Sequence, residues 1–541
     1  MKNKFIAICF IWLFIPSICV FAGTNYNDHR QLSQNLRQLA ESYPDLANLQ
    51  SLAITDGGKE IWLLSIGSGD QANKPAIAVV AGVSGDHLLG TELATSFARQ
   101  ILGSSRQQDV RKLLDSVTFY VFPDMSPDAR AQYFAPLRYE RFGNATPADL
   151  DRDGRIGEDP YDDLNGDGMI TMMRIKDPTG QWMKHPDDER ILVKARLDKG
   201  ERGQYLLFSE GIDNDKDGQF NEDGEEGVFF NMNFTFDYPV FERGAGEHAV
   251  SEIETRAIAD FLFEAKNVFA VVSFGPANNL SHPVNFNDRN ASGRIITGWL
   301  EHDVSINRMV SQTYGQHVDL AGAQAVQGSQ GDFFQWAYFH YGRFSFSTPG
   351  WWVPPAGENG RPMDHPEVNF MRWAEQEQIP DVFVPWTRVD HPDFPGQEVE
   401  VGGLAPFVMK NPPQSLIAGI SETHVDFLMH LASLRPQIDI LNVKTEQLGR
   451  NLYRITADIS NTGAFPATTQ LGQRVRWVQK PVVRLVVDRR QEVVSGKTID
   501  IIRELEGYSS TQRSWLIRGS GTVNLRAGAE STGFREIQIK L

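Results

Sequence analysis

Apolar residues follow two different rhythms along this chain, and the change falls near residue 435. From about Asn25 to Leu434, short apolar runs alternate with amphipathic stretches: Ala76–Val80, Val117–Phe122 and Val268–Phe274 read as strands, Thr91–Leu102 and Ser251–Glu264 as helices. Unbroken apolar strands need cover on both faces, so the alternation predicts an α/β sheet with helices on both sides. Residues 140–228 interrupt it. Crowded with Asp, Gly, Asn and Glu and short of apolar positions, they read as an insertion and not as core. After Arg435-Pro436 the period becomes two. Leu452–Ser460 puts Tyr453, Ile455, Ala457 and Ile459 on one face, Val482–Val487 and Arg535–Leu541 follow, and Asn461-Thr462-Gly463 and Ser495-Gly496 supply turns. Such short strands predict a β-sandwich over residues 435–541.

The first residues change the picture of where the chain works. Met1–Ala22 carries Lys2 and Lys4, an uncharged run from Phe5 to Phe21 and a small residue before Gly23, the layout of an export signal. That run is short for a bilayer span, so membrane anchoring is not expected. Ile18 stands before Cys19 where a lipid-anchor signal carries a small residue. The mature chain is expected to begin at residue 23 and to be periplasmic or extracellular. Cys9 and Cys19 both lie in the signal, which leaves no thiol for a disulfide, a metal or a nucleophile. Removing two lysines and no acid takes the net charge from −17 to −19. That balance opposes nucleic acid and anionic lipid as partners and favours cations, peptides or glycans.

Candidate chemistry appears first in the insertion. Asp149, Asp151, Asp153 and Gly154 are spaced like Asp163, Asn165, Asp167 and Gly168, and like Asp213, Asp215, Asp217 and Gly218. Oxygens at alternate positions with Gly at the sixth wrap a loop around a hard cation. Pro160, Arg174 and Gly224 stand where a full EF-hand loop carries its Glu, so Glu158, Asp159, Glu222, Asp223 or a neighbouring loop must complete each shell. Clustered carboxylates repel without a counter-ion, and calcium is the expected cofactor.

Further blocks carry a family resemblance. Gly82-Val83-Ser84-Gly85-Asp86-His87 lies in the turn after Ala76–Val80. Val121-Phe122-Pro123 precedes Ser126-Pro127-Asp128-Ala129, and Asn231-Met232-Asn233-Phe234 precedes Ser251-Glu252-Ile253-Glu254-Thr255. His391-Pro392, Glu400 to Gly403 and Asn411-Pro412-Pro413 come last. In this order, over residues 30–430, they resemble the metallocarboxypeptidase family of the carboxypeptidase A type, in bacterial members with an added C-terminal β-domain. The resemblance implies a zinc-carboxypeptidase-like mixed sheet over residues 23–434, a zinc held by His, Glu and a later His, a general-base Glu, and an Asn-Arg clamp for a substrate carboxylate.

The residues at those positions differ. Ser84 stands at the first His, His87 at the Glu, and Phe274 closes the strand that should end in the third ligand. Pro349 occupies the general-base position and Met232 replaces the clamp Arg beside Asn231, leaving Arg138 or Arg141 as the cations for a substrate cleft. None of the twelve histidines begins His-x-x-Glu; His424 and His430, six apart on one helix, fall on different faces and read as solvated or capping residues. Ser84 is one residue short of a Gly-x-Ser-x-Gly nucleophile turn. Zinc is therefore not expected, although the family implies it. The leading expectation is an exported, catalytically silent carboxypeptidase-like protein that binds peptide or cell-wall-derived ligands in the cleft or insertion. The alternatives are an active zinc carboxypeptidase or amidase on peptides or peptidoglycan stems, and a calcium-stiffened structural module.

Overall fold

A computed structural model describes residues 26–149, 154–221, 224 and 227–541. The expected signal, with Cys9 and Cys19, lies outside the described residues, as do Asp151, Asp153, Glu222 and Asp223. Ten helices occur among them: α1 His29–Ser42, α2 Leu88–Gly103, α3 Gln108–Ser116, α4 Pro127–Arg130, α5 Ile253–Glu264, α6 Asp288–Ser292, α7 Glu301–His317, α8 Phe333–Phe339, α9 Pro366–Gln376 and α10 Gln414–Ser433. None is long and apolar enough to cross a membrane.

The apolar runs form the middle of a six-stranded mixed sheet. Strands β1 Ala47–Ile54, β2 Glu60–Ile66, β3 Ala76–Val80 and β4 Thr118–Phe122 join two later strands, β9 Val268–Phe274 and β10 Phe344–Thr348, in the order β1-β2-β4-β3-β9-β10. β4, β3, β9 and β10 run parallel, while β1 and β2 add antiparallel at one edge. Every residue of β3, β4, β9 and β10 is buried, as unbroken apolar strands require. Leu89, Leu93, Phe97, Tyr314 and Phe427 cover one face from α2, α7 and α10; Ile258, Leu262, Phe334 and Trp336 cover the other from α5 and α8.

The insertion is more ordered than its composition suggests. It supplies β5 Met172–Lys176, β6 Trp182–Lys184, β7 Leu192–Lys194 and β8 Tyr205–Ser209, which pair with the distant β11 Phe383–Val389 and β12 Val399–Leu404 in a second sheet, β11-β12-β5-β8-β6-β7. The expectation of no core there is corrected: Met173 and Ile175 are fully buried against Val399 and Val401. Two apolar residues on β5 suffice because their partners on β12, more than 220 residues away in the chain, complete the cluster.

The C-terminal part is made of strands in two facing sheets: β13 Ile438–Gly449, β14 Leu452–Asn461, β18 Ser509–Arg518 and β16 Glu492–Ser495 in one, β17 Ile499–Ile501, β15 Val482–Val486, β19 Thr522–Ala529 and β20 Gly533–Lys540 in the other. Ile455, Ala457 and Ile459 point inward together with Val483, Leu525 and Trp515. Phe465 leaves this module and sits fully buried between Phe269, Phe344 and Phe346 of the main sheet.

Candidate functional site

The parallel strands end in one cleft floor, the usual place for a ligand on such a sheet. After β3, the chain turns at Ala81–His87 and enters α2, whose N-cap His87 makes no side-chain cap bond. The cap comes instead from far along the chain: Asn411 Oδ1 accepts from the Leu88 and Leu89 N–H groups at 2.8 and 3.1 Å, and its Nδ2 donates to Asp86 O at 2.8 Å. Pro412 and Pro413, following directly, fix the backbone that presents Asn411.

Ser84, His87, Phe274 and Pro349 gather at this floor. His87 is buried and donates Nε2–H to Pro349 O at 2.9 Å. The lone pair then resides on Nδ1, a buried atom without a hydrogen-bond partner. A Cβ built on Gly90 would lie 3.0 Å from Phe274 Cβ and 3.1 Å from His87 Nδ1, so the ring is wedged between the first turn of α2 and the end of β9. Burial lowers the pKa of His87 and keeps the ring neutral. On the other side of the turn, a Cβ on Gly275 would meet Val83, which fixes Val83-Ser84 beside the exit of β9.

Sequence reasoning missed Asp86, Glu140 and Lys410. Ser84 donates its hydroxyl to Asp86 Oδ1, Lys410 Nζ ion-pairs with Asp86 Oδ2, and Glu140 Oε2 lies 3.7 Å from the same ammonium. Burial by itself would lower the pKa of Lys410, but the Asp86 and Glu140 carboxylates outweigh it and hold the ammonium above its ordinary value. Phe142 lies under the ammonium at 5.4 Å. Asp86 and Lys410 are 324 residues apart, and no local pattern joins them.

The remaining cleft residues serve mostly as scaffold. Asn231 lines a tight crevice with Val83, Ser273, Gly275, Asp332 and Ser347. Its Oδ1 accepts from Phe333 N at 3.1 Å, at the start of α8. Met232 adjoins it at intermediate burial. Arg141 is buried and donates to the Gly143 and Asn144 carbonyls at 3.0 and 2.7 Å, with its own carbonyl against Gly85. Arg138 is exposed on a backbone bridge to Met169, toward the acidic loops. Glu254 is buried in the wall behind Phe230 and shares Asn144 Nδ2 with Glu252; burial pushes its carboxyl up to about 7. His424 is not solvated: it is buried beneath the floor, accepting from Tyr314 Oη at 3.0 Å while donating to Ile420 O at 2.7 Å.

A catalytic zinc needs three protein donors around one open position. Ser84 offers a neutral hydroxyl already donated to Asp86, His87 a single enclosed ring nitrogen, and Phe274 nothing. This donor set does not fit zinc.

The acidic loops share one bond. Gly154, Gly168 and Gly218 each donate N–H to the Oδ2 of the first Asp in their loop, Asp149, Asp163 and Asp213, at 3.0, 2.8 and 3.1 Å. Each glycine adopts positive φ, +97°, +80° and +94°, which bends the loop back on that carboxylate. The carboxylates of Asp213, Asp215 and Asp217 lie within 4.8 Å of one another. Asp149 Oδ1 and Asp213 Oδ1 are buried with no hydrogen-bond partner. Asn165 and Asp167 accept from backbone N–H groups of their own loop at 2.9 Å. Asp159 accepts instead from Asn214 N and Asn221 N, which ties the first loop to the third.

Residues 32–350, which include the strands and turns of the cleft floor, match the family model of zinc carboxypeptidases. The chain belongs to that family. Residues 437–540 match a second family, described as a domain of unknown function (DUF8731). Carboxypeptidase B of Astacus astacus is 30% identical over 118 residues, 22% of this chain and 38% of that protein. Carboxypeptidase D of Homo sapiens is 31% identical over 134 residues, 24% of this chain and 10% of that protein. The chain thus spans less than half the length of either relative. Among solved structures, carboxypeptidase A from Helicoverpa armigera aligns with a TM-score of 0.37 at 12% identity, covering 66% of this chain and 72% of that one. Thrombin activatable fibrinolysis inhibitor aligns with a TM-score of 0.41 at 13% identity, covering 76% and 74%.

Proposed function

We propose that this chain is an exported carboxypeptidase-fold protein that binds and does not cleave, holding peptide or cell-wall-derived ligands in the cleft or on the acidic loops. The observation that carries this reading is the commitment of the polar donors at the floor to internal partners: Ser84 Oγ–H and Lys410 Nζ both to Asp86, and His87 Nε2–H to Pro349 O. A lysine ammonium beside Asp86 supplies there, without an exchangeable ion, positive charge of the kind a metal would bring. Without a metal, a carboxypeptidase loses both its activated water and the Lewis acid that stabilises the oxyanion. Calcium in the Asp149, Asp163 and Asp213 loops is part of the same proposal, supported by the repeated Gly-to-Asp bond and the two orphaned carboxylate oxygens.

Family membership favours one competing reading, an active zinc carboxypeptidase or amidase on peptides or peptidoglycan stems. Turnover of peptides with a free C-terminus separates the two. The expected result is none, with or without added zinc. Turnover that a chelator abolishes and zinc restores would install the enzyme reading instead.

A further inference from the structure

Away from the cleft, α7 ends at His317 and α10 carries His430 in its last turn. His317 Nε2 and His430 Nδ1 lie 3.0 Å apart, with the rings nearly perpendicular at 82° and both side chains half-buried. Among the described residues this is the one hydrogen bond between two imidazoles, and it joins neighbouring helices.

The other histidine clusters lack a free lone pair in the right place. His185 and His391 each begin a His-Pro-Asp turn, and in both the ring Nδ1 accepts the N–H of the Asp two residues on, at 3.1 and 3.2 Å. The proton of the neutral ring is therefore on Nε2, which faces Asp364 at 3.4 Å in the first case and donates to Gly211 O at 2.8 Å in the second. The group formed by His185, Asp187 and Asp364 has the spacing of a metal cluster, but its imidazole has no lone pair to offer. No such turn constrains His317 and His430, whose contact uses one shared proton between two ring nitrogens.

We propose that His317 and His430 form a binding site for one borderline divalent cation of the zinc, nickel and copper class, with water completing the shell and the exposed Asp426 carboxylate nearby to balance its charge. Two nitrogens bound at about 2.0–2.1 Å in a tetrahedron stand about 3.3 Å apart, so the pair needs to open by only a few tenths of an ångström when the cation displaces the shared proton. Asp426 precedes His430 by one helical turn and therefore shares its face. Its charge already acts on the His317 ring. Imidazole suits these metals better than it suits calcium, which keeps this site chemically separate from the acidic loops. The bound cation would staple the C-terminal end of α7 to α10.

The test titrates Zn²⁺ into the full chain in competition with a chromophoric chelator, with Ca²⁺ in excess to fill the acidic loops. One equivalent is expected to bind. His317→Gln and His430→Gln should each weaken it by about tenfold or more, Asp426→Asn by less, and His87→Gln not at all. Co²⁺ offers a second readout: the wild type should show the visible bands of a tetrahedral site, absent from His430→Gln, and melting curves in chelator check that each variant is folded. Zinc binding unchanged in both His317→Gln and His430→Gln would overturn the proposal. Binding lost only in His87→Gln would also overturn it, and would return the metal to the cleft.

Discussion

At the scale of single residues, burial decides which groups carry charge. His424 packs against Phe274 and Tyr314 and hydrogen-bonds through both ring nitrogens. Burial lowers its pKa from 6.5 to about 4. The unfolded chain takes up this proton near pH 6.5, whereas the folded chain refuses it until about pH 4. Between these values the unfolded state binds more protons, so the stabilisation is present above about pH 6.5 and lost as pH falls toward 4. The size is roughly 3 kcal/mol. Urea melts of wild type and His424→Gln at pH 7 and pH 4.5 should therefore show the stability gap between them shrink by roughly 2–3 kcal/mol on acidification. An equal gap at both pH values would mean that the buried ring titrates normally.

At the scale of elements, the acidic loops and the Phe465 contact carry separate expectations. Each loop draws a backbone N–H onto its first Asp; the first and third leave a carboxylate oxygen of Asp149 and of Asp213 buried without a partner, an arrangement that is unfavourable until a cation enters. Calcium is expected to raise the melting temperature by preferential binding to the folded chain, and Asp213→Ala should remove part of that rise. Identical melting of the wild type in calcium and in chelator would exclude it. Phe465 ties the C-terminal strands to the main sheet through three aromatic contacts. Truncating it to Ala leaves a cavity between the two bodies and should cost about 3–5 kcal/mol in denaturant unfolding. A cost below 1 kcal/mol would show that the aromatic cluster does not couple them.

At the scale of the whole molecule, a zinc carboxypeptidase fold surrounds a floor with a different polar wiring. Rebuilding two ligands does not rebuild the site. The double variant Ser84→His, His87→Glu would still face Phe274 at the third position and Pro349 at the base. Its new Glu would also lose the Nε2 bond that now anchors residue 87 to Pro349 O. It is expected to bind zinc weakly and to hydrolyse no peptide, as checked by metal analysis after dialysis and by turnover. Peptide hydrolysis by this variant with zinc would show that the remaining geometry is competent and that two substitutions alone had silenced it.

The sequence by itself determined the local elements. Apolar runs at Ala76–Val80 and Val268–Phe274 became strands with those same ends, and the period-two stretch from Leu452 became a strand with Ile455, Ala457 and Ile459 inward. The Asp-Gly spacing set the three turned loops, because an Asp side chain and a glycine N–H five residues on meet without help from the rest of the chain. Family blocks also brought Ser84, His87, Phe274 and Pro349 to one floor. Only the tertiary structure decided what those residues touch. The Asn411 cap on α2, the Asp86–Lys410 pair and the sheet that joins β5 to β12 all link segments more than 200 residues apart. His424 and His430 look alike in the helix sequence, yet one is sealed under the cleft and the other meets His317. Short-range patterns fix the backbone, while the partner of a buried polar group depends on which distant segment closes over it, and that is settled only when the chain is packed.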